Sequence, residues 1–110
     1  MIMSLPQAPV RSAPREIDVE LLTFVERYAT NLVRWDLLVF FGRNPETRDT
    51  AAHIATRVGR RSTVVNQELE DLVYLGILNS EPEDPFCIYH LTPSANVRQA
   101  LRRLVERTPR

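Results

Sequence analysis

Three arginines, Arg57, Arg60 and Arg61, lie just ahead of Ser62, Thr63 and Val64, with Asn66 and Gln67 shortly after. Guanidinium groups fork onto phosphates and carboxylates. Carboxamides match the N6 and N7 edge of adenine, and the methyls of valine and threonine suit that of thymine. The group therefore offers charge for a backbone and amides and methyls for base edges. Other chemistries are poorly supplied. His53 and His90 are far apart, Cys87 is the lone cysteine, and none has metal-ligand spacing. Ser62, Ser80 and Ser94 lack a nucleophile motif, and there is no glycine-rich phosphate loop. The expectation is a protein that is not an enzyme and has neither metal nor cofactor.

Those residues need elements to position them. Ala51 to Val58 forms a short helix, with Thr50 or Asp49 as its cap and Gly59 as its stop. A longer helix, about residues 62–75, follows with Ser62 or Thr63 as cap, an inner stripe of Val65, Leu69, Leu72 and Val73, and Gly76 as its end. Two helices joined by a glycine turn make a helix-turn-helix. Ile77-Leu78 begins a strand, the breaker-rich Glu81 to Pro85 makes a turn, and Phe86, Ile88 and Tyr89 return. A last helix opens at Thr92-Pro93-Ser94, with Thr92 as cap and Pro93 at the first helical position.

Upstream, Ile17, Leu21, Leu22, Phe24, Val25 and Tyr28 recur at helical spacing from Glu16 onward. Leu32, Trp35 and Leu37 to Phe41 continue it, either as a second helix after Thr30-Asn31 or as one bent helix. Gly42 and Asn44-Pro45 end that run. Tyr28, Trp35, Phe40 and Phe41 are expected in the core. Residues 1–15, with Pro6, Pro9 and Pro14, read as a flexible amino-terminal arm, and residues 16–110 as one domain.

From Trp35 to Leu91 the chain resembles the winged helix-turn-helix domain of small bacterial transcriptional regulators of the MarR, ArsR and PadR types. The matching residues are Ala51, Ala55 and Gly59, then Ser62-Thr63-Val64-Val65, then Leu69, Leu72 and Gly76-Ile77-Leu78. His90 to Pro93 resembles the segment after the wing, although the family's glycine there is absent. The resemblance implies a mainly α fold with a small β-hairpin wing. It also implies a sequence-specific DNA-binding regulator, with Thr63, Val64, Asn66, Gln67 and Glu70 facing the major groove of double-stranded DNA. The amino- and carboxy-terminal helices would join two copies as a homodimer, setting two recognition helices about one DNA turn apart.

Composition limits these readings. The chain has 110 residues, 44% hydrophobic and 25% charged, which suits one globular domain. Fourteen basic residues, all Arg, balance fourteen acidic ones, which excludes a coat that binds nucleic acid through bulk charge. The balance is uneven along the chain. No Arg or Lys lies between Arg61 and Arg98, where Glu68, Glu70, Asp71, Glu81, Glu83 and Asp84 gather. An acidic wing repels phosphate, so the alternative is a winged-helix protein–protein interaction module that binds no DNA. One cysteine allows no intrachain disulfide, which fits a reducing cytoplasm. Met1 to Val10 lacks the features of a signal peptide, and no run approaches the ~20 apolar residues of a membrane span.

Overall fold

A computed structural model describes residues 19–28 and 31–108. The expected arm, residues 1–15, and the expected helix start at Glu16 lie outside the described residues. The elements in chain order are α1 (Val19–Tyr28), α2 (Leu32–Arg43), β1 (Arg48–Asp49), α3 (Ala51–Val58), α4 (Ser62–Tyr74), β2 (Leu78–Glu83), β3 (Phe86–Leu91) and α5 (Ala95–Glu106).

The apolar stretch after residue 30 forms its own helix. Asn31 is the N-cap of α2, its side-chain oxygen accepting the Arg34 amide at 2.8 Å. Leu37, Leu38, Val39 and Phe41 are all buried, so α2 is apolar around most of its girth and is the central helix. Gly42 lies inside α2 rather than ending it. A Cβ there would sit 2.6 Å from Val105 Cγ2 and 2.9 Å from the Leu101 carbonyl oxygen, so the missing side chain is what lets α2 and α5 touch.

The helix-turn-helix forms as the glycine turn requires. Gly59 adopts φ +75°, and its amide and that of Arg60 both donate to the Ala55 carbonyl. Ala55 is buried, whereas Ala52 faces solvent and takes no part in close packing. Val65, Leu69 and Leu72 of α4 are fully buried, each stabilising the fold by roughly 1.5–3 kcal/mol through burial. Gly76, at φ +85°, turns the chain from α4 towards β2.

The sheet has three antiparallel strands in the order β1-β3-β2. The expected turn at residues 81–85 shrinks to Asp84-Pro85, because β2 runs on through Glu83. Pro82 is tolerated there because β2 is an edge strand, where a missing amide can face solvent. In α5 the helix begins at Ala95, with Ser94 as N-cap, so Pro93 precedes the helix. Thr92 instead accepts the Ser94 amide on its hydroxyl.

Tyr28, Trp35 and Phe40 are half-buried against the core, and Phe41 is fully inside it. Leu22, at 49% exposure, and Leu32, at 73%, point outward despite fitting the apolar spacing. Among the described residues no helix is long and apolar enough to cross a membrane. The architecture is a winged helix-turn-helix: mostly helical, with one small antiparallel wing.

Candidate nucleic-acid interface

The outward face of α4 carries the residues picked out by their chemistry. Ser62, Thr63, Val64, Asn66, Gln67 and Glu70 are all exposed, opposite the buried Val65, Leu69 and Leu72. Asn66 Nδ2 donates to Glu70 Oε2 at 3.4 Å, and Gln67 Nε2 donates to Asp71 Oδ1 at 3.2 Å. Each amide thus spends one of its two N–H donors and keeps the other beside its carbonyl, the pair that adenine requires. Tyr74 extends this face. It lies one turn beyond Glu70 and is 90% exposed, and its helical spacing from Gln67 and Glu70 was the signal available in the sequence.

The three arginines part company. Arg61 is the N-cap of α4 and makes no side-chain cap there; Ser62 and Thr63 are already helical. The first amides of α4 are consequently not capped by a side chain, and the exposed Arg61 has no hydrogen-bond or ion-pair partner among the described residues. That leaves donors and positive charge together at a helix start, an arrangement suited to an anion. Arg60 is held instead by Asp36 of α2, through Nε at 2.9 Å and Nη2 at 2.6 Å. Arg57 places its guanidinium 4.7 Å from the centre of the Phe40 ring.

A half-buried ionic network fixes α4 to α2. Arg34 reaches Glu68 at 2.8 Å and Asp71 at 3.0 Å, and Asn31 Nδ2 adds a bond to Glu68 at 3.2 Å. Asp71 also receives Gln67, so the network ends on the outward face of α4. These partners are 34 and 37 residues apart, which explains why spacing alone did not reveal them.

The wing is less acidic at its base than its sequence implies. Glu81 accepts Arg48 of β1 at 2.7 Å and lies 3.0 Å from His90 Nε2 of β3. The Arg48 hydrogen bond and charge, helped by His90, hold the Glu81 carboxyl below the usual range. Glu83 and Asp84 at the tip have no hydrogen-bond or ion-pair partner among the described residues, and Phe86 beside them is 63% exposed. At Asp49 partial desolvation favours the neutral acid. The Thr50 amide, His53 and the Arg57 charge outweigh it and hold the carboxyl below its usual value. Thr50 also caps α3, its hydroxyl accepting the His53 amide at 3.3 Å. Burial, reinforced by Cys87 and Glu70, pushes the Tyr89 hydroxyl up.

His53 and His90 are engaged separately, by Asp49 and Glu81. Cys87 is exposed on β3. Among the described residues no group of three or more His, Cys, Asp or Glu is placed to hold a metal ion.

No protein-family model and no curated protein matches the sequence. Solved structures do resemble the fold. HlyU from Vibrio cholerae superposes with a TM-score of 0.62 at 17% identity, over 84% of this chain and 96% of its own. An E. coli protein described as a predicted DNA-binding transcriptional regulator gives 0.62 at 16% identity, over 80% of this chain and 90% of its own. The homodimeric winged helix-turn-helix DNA-binding domain Mb0332 from Mycobacterium bovis, a possible ArsR-family transcriptional regulator, gives 0.57 at 19% identity, over 80% and 77%. At these identities the likeness is one of fold.

Proposed function

We propose that the chain is a sequence-specific DNA-binding transcriptional regulator that acts in the cytoplasm as a homodimer. The observation that carries this reading is the exposed start of α4, where Arg61, amides without a side-chain cap and the Thr63, Val64, Asn66 and Gln67 face coincide. In the proposed complex α4 lies in the major groove. Arg61 and the first amides of α4 take a phosphate, Arg57 and Arg60 flank the same backbone, and Asn66 and Gln67 address adenine edges. The named functions of the structural neighbours are consistent with this reading.

The dimer contact is assigned to α1 and α5. Val19 and Leu22 of α1 are 66% and 49% exposed. A groove of about 340 Å³ between the two helices is lined by Phe24, Tyr28 and Ala100 among others. The Mycobacterium bovis neighbour is described as homodimeric, which is consistent with a dimer here.

Selection of binding sites from random duplexes, with affinity measured across salt, tests the proposal. Binding should fall with a log–log slope of about −0.9 for each phosphate neutralised. Arg60→Glu with Arg61→Glu should abolish binding, and Arg61→Glu alone, which leaves the Arg60–Asp36 pair intact, should weaken it with the fold unchanged by circular dichroism. A second reading, a protein–protein interaction module without DNA binding, is favoured by Glu83 and Asp84, which have no partner among the described residues, beside exposed Phe86. Absence of duplex binding at low salt would select it.

A further inference from the structure

We propose that the wing tip of one copy docks into a dimple at the foot of another copy's wing, so that the chain associates with itself head to tail. The projecting part is Phe86, 63% exposed, with Glu83 directly across the strand pair and Asp84 next to it in the turn. An exposed phenyl ring thus shares the wing tip with two carboxylates that have no partner among the described residues. Glu81, further down the same strand, is satisfied by Arg48 and His90. Among the described residues of the wing, the unspent negative charge is confined to the tip.

The receiving part lies between α2 and α5. It is a shallow cavity of about 100 Å³ whose apolar lining is Pro45 over the nearly covered Phe41, Leu91 and Leu101, with Arg98 and Arg102 at its side. That is well below the ~300 Å³ at which small-molecule sites begin and below the ~150 Å³ that encloses a benzene ring, so it receives the edge of one side chain and no free ligand. Arg98 gives its Nε to the Thr92 carbonyl at 2.8 Å and keeps its terminal nitrogens. Arg102 is exposed and has no hydrogen-bond or ion-pair partner among the described residues. A ring flanked by carboxylates therefore meets an apolar floor flanked by guanidiniums, an apolar centre with a charged rim.

The wing cannot fill its own dimple. Phe86 and Leu91 lie at opposite ends of β3, about 17 Å apart at the rise of an extended strand. The contact also avoids the proposed dimer groove, whose α5 residues are Asn96, Gln99, Ala100 and Arg103. In the head-to-tail arrangement each copy gives its projection to one neighbour and its dimple to another, which leaves one of each free at the ends of a growing chain. On DNA it would link copies on adjacent sites; that consequence rests on the nucleic-acid reading, whereas the contact itself does not.

The test is sedimentation equilibrium of the full chain without DNA, at low salt, over a concentration series. The weight-average mass should continue to climb beyond a dimer, and added salt should suppress the climb. Phe86→Ser, Glu83→Arg with Asp84→Arg, and Arg98→Gln with Arg102→Glu should each weaken the association at least about tenfold, since like charges then face each other or the ring is lost. Mixing the two charge variants should restore association that neither shows alone, because each reversed surface finds its complement on the other protein. Should the Arg98 change disturb the fold, Arg102→Glu alone serves in the mixture, as its side chain is exposed. A flat mass curve for the wild type overturns the proposal, and so does a mixture that fails to reassociate. Loss through the wing variants alone, with the dimple variants unchanged, also overturns it and assigns the wing another basic partner. Loss through the dimple variants alone overturns it by removing the wing from the contact.

Discussion

On the helix-turn-helix side of the molecule Arg34 joins Glu68 and Asp71, with the Arg34 side chain 11% exposed and that of Glu68 15%. On the wing Arg48 joins Glu81 with the two side chains 54% and 52% exposed. The first network ties α2 to α4 and reaches the outward amides through Asp71 and Gln67. The second links the two outer strands of the sheet across β3 and leaves the tip untouched. A shielded ion pair fixes the position of a surface at the cost of desolvation. A solvated one trims charge and adds little rigidity. The face of α4 is accordingly held in place, and the wing tip retains unspent charge.

Removing Arg34 is the strongest way to break this comparison. Arg34→Met keeps about the same volume but leaves Glu68, among the described residues, with only the Asn31 amide and deprives Asp71 of its cation. We expect a loss of about 2–3 kcal/mol, between the values for exposed and fully buried pairs, read as a lower urea midpoint. Loss of the equivalent wing cation, Arg48→Met, should cost at most a small fraction of that. Equal losses from the two variants would erase the distinction.

The divide between legible and hidden features follows the same line. Local devices were legible: the Gly59 turn, the Thr50 cap, the Val65, Leu69 and Leu72 stripe, and the hairpin after Gly76 all depend on residues within a few positions of each other. The two-residue strand β1 was not legible, because Arg48 and Asp49 have neither length nor apolar pattern and exist as a strand only by pairing with His90 and Tyr89. The division of labour among Arg57, Arg60 and Arg61 was hidden for a related reason. Phe40 and Asp36 lie on α2, and only the packed fold brings them to those arginines. Gly42 misled as a terminator because glycine ends helices and admits close helix contact equally well, and the sequence does not contain the approach of α5.

A middle-sized effect comes from neutralising the wing tip. Glu83→Gln with Asp84→Asn removes two charges that nothing in the described residues balances. If the tip stands within about 10 Å of the phosphates, one screening length at 0.1 M salt, duplex affinity should rise by about fivefold at low salt and converge with wild type at high salt. The thermal midpoint should stay unchanged, since neither side chain holds the fold. Unaltered affinity would place the wing tip away from the duplex and sharpen the contrast with α4, whose Arg61→Ala variant should lose about one phosphate contact from the salt slope.

The smallest effect concerns the base of the wing and its dependence on pH. Glu81 has its carboxyl held below its ordinary value of 4.5, chiefly by Arg48 and secondarily by His90. A group whose folded pKa is depressed contributes stability that is fully present above its unfolded pKa and disappears as pH falls through the folded one. The Glu81 contribution should therefore be constant from neutrality down to about 4.5 and fade below it, whereas that of Asp49, whose carboxyl is also held low, begins to fade only below its own ordinary value of 3.8. Glu81→Gln removes the first contribution and leaves the second. Its acid unfolding curve should consequently fall less steeply than that of wild type below pH ~4.5 without becoming flat, and amide exchange at Asn79 and His90 should rise at neutral pH. If the two acid curves superimpose, the Arg48–Glu81 pair is a solvated contact with no hold on the hairpin, and the rigidity of the wing base rests on the β1–β3 and β2–β3 backbone pairing alone.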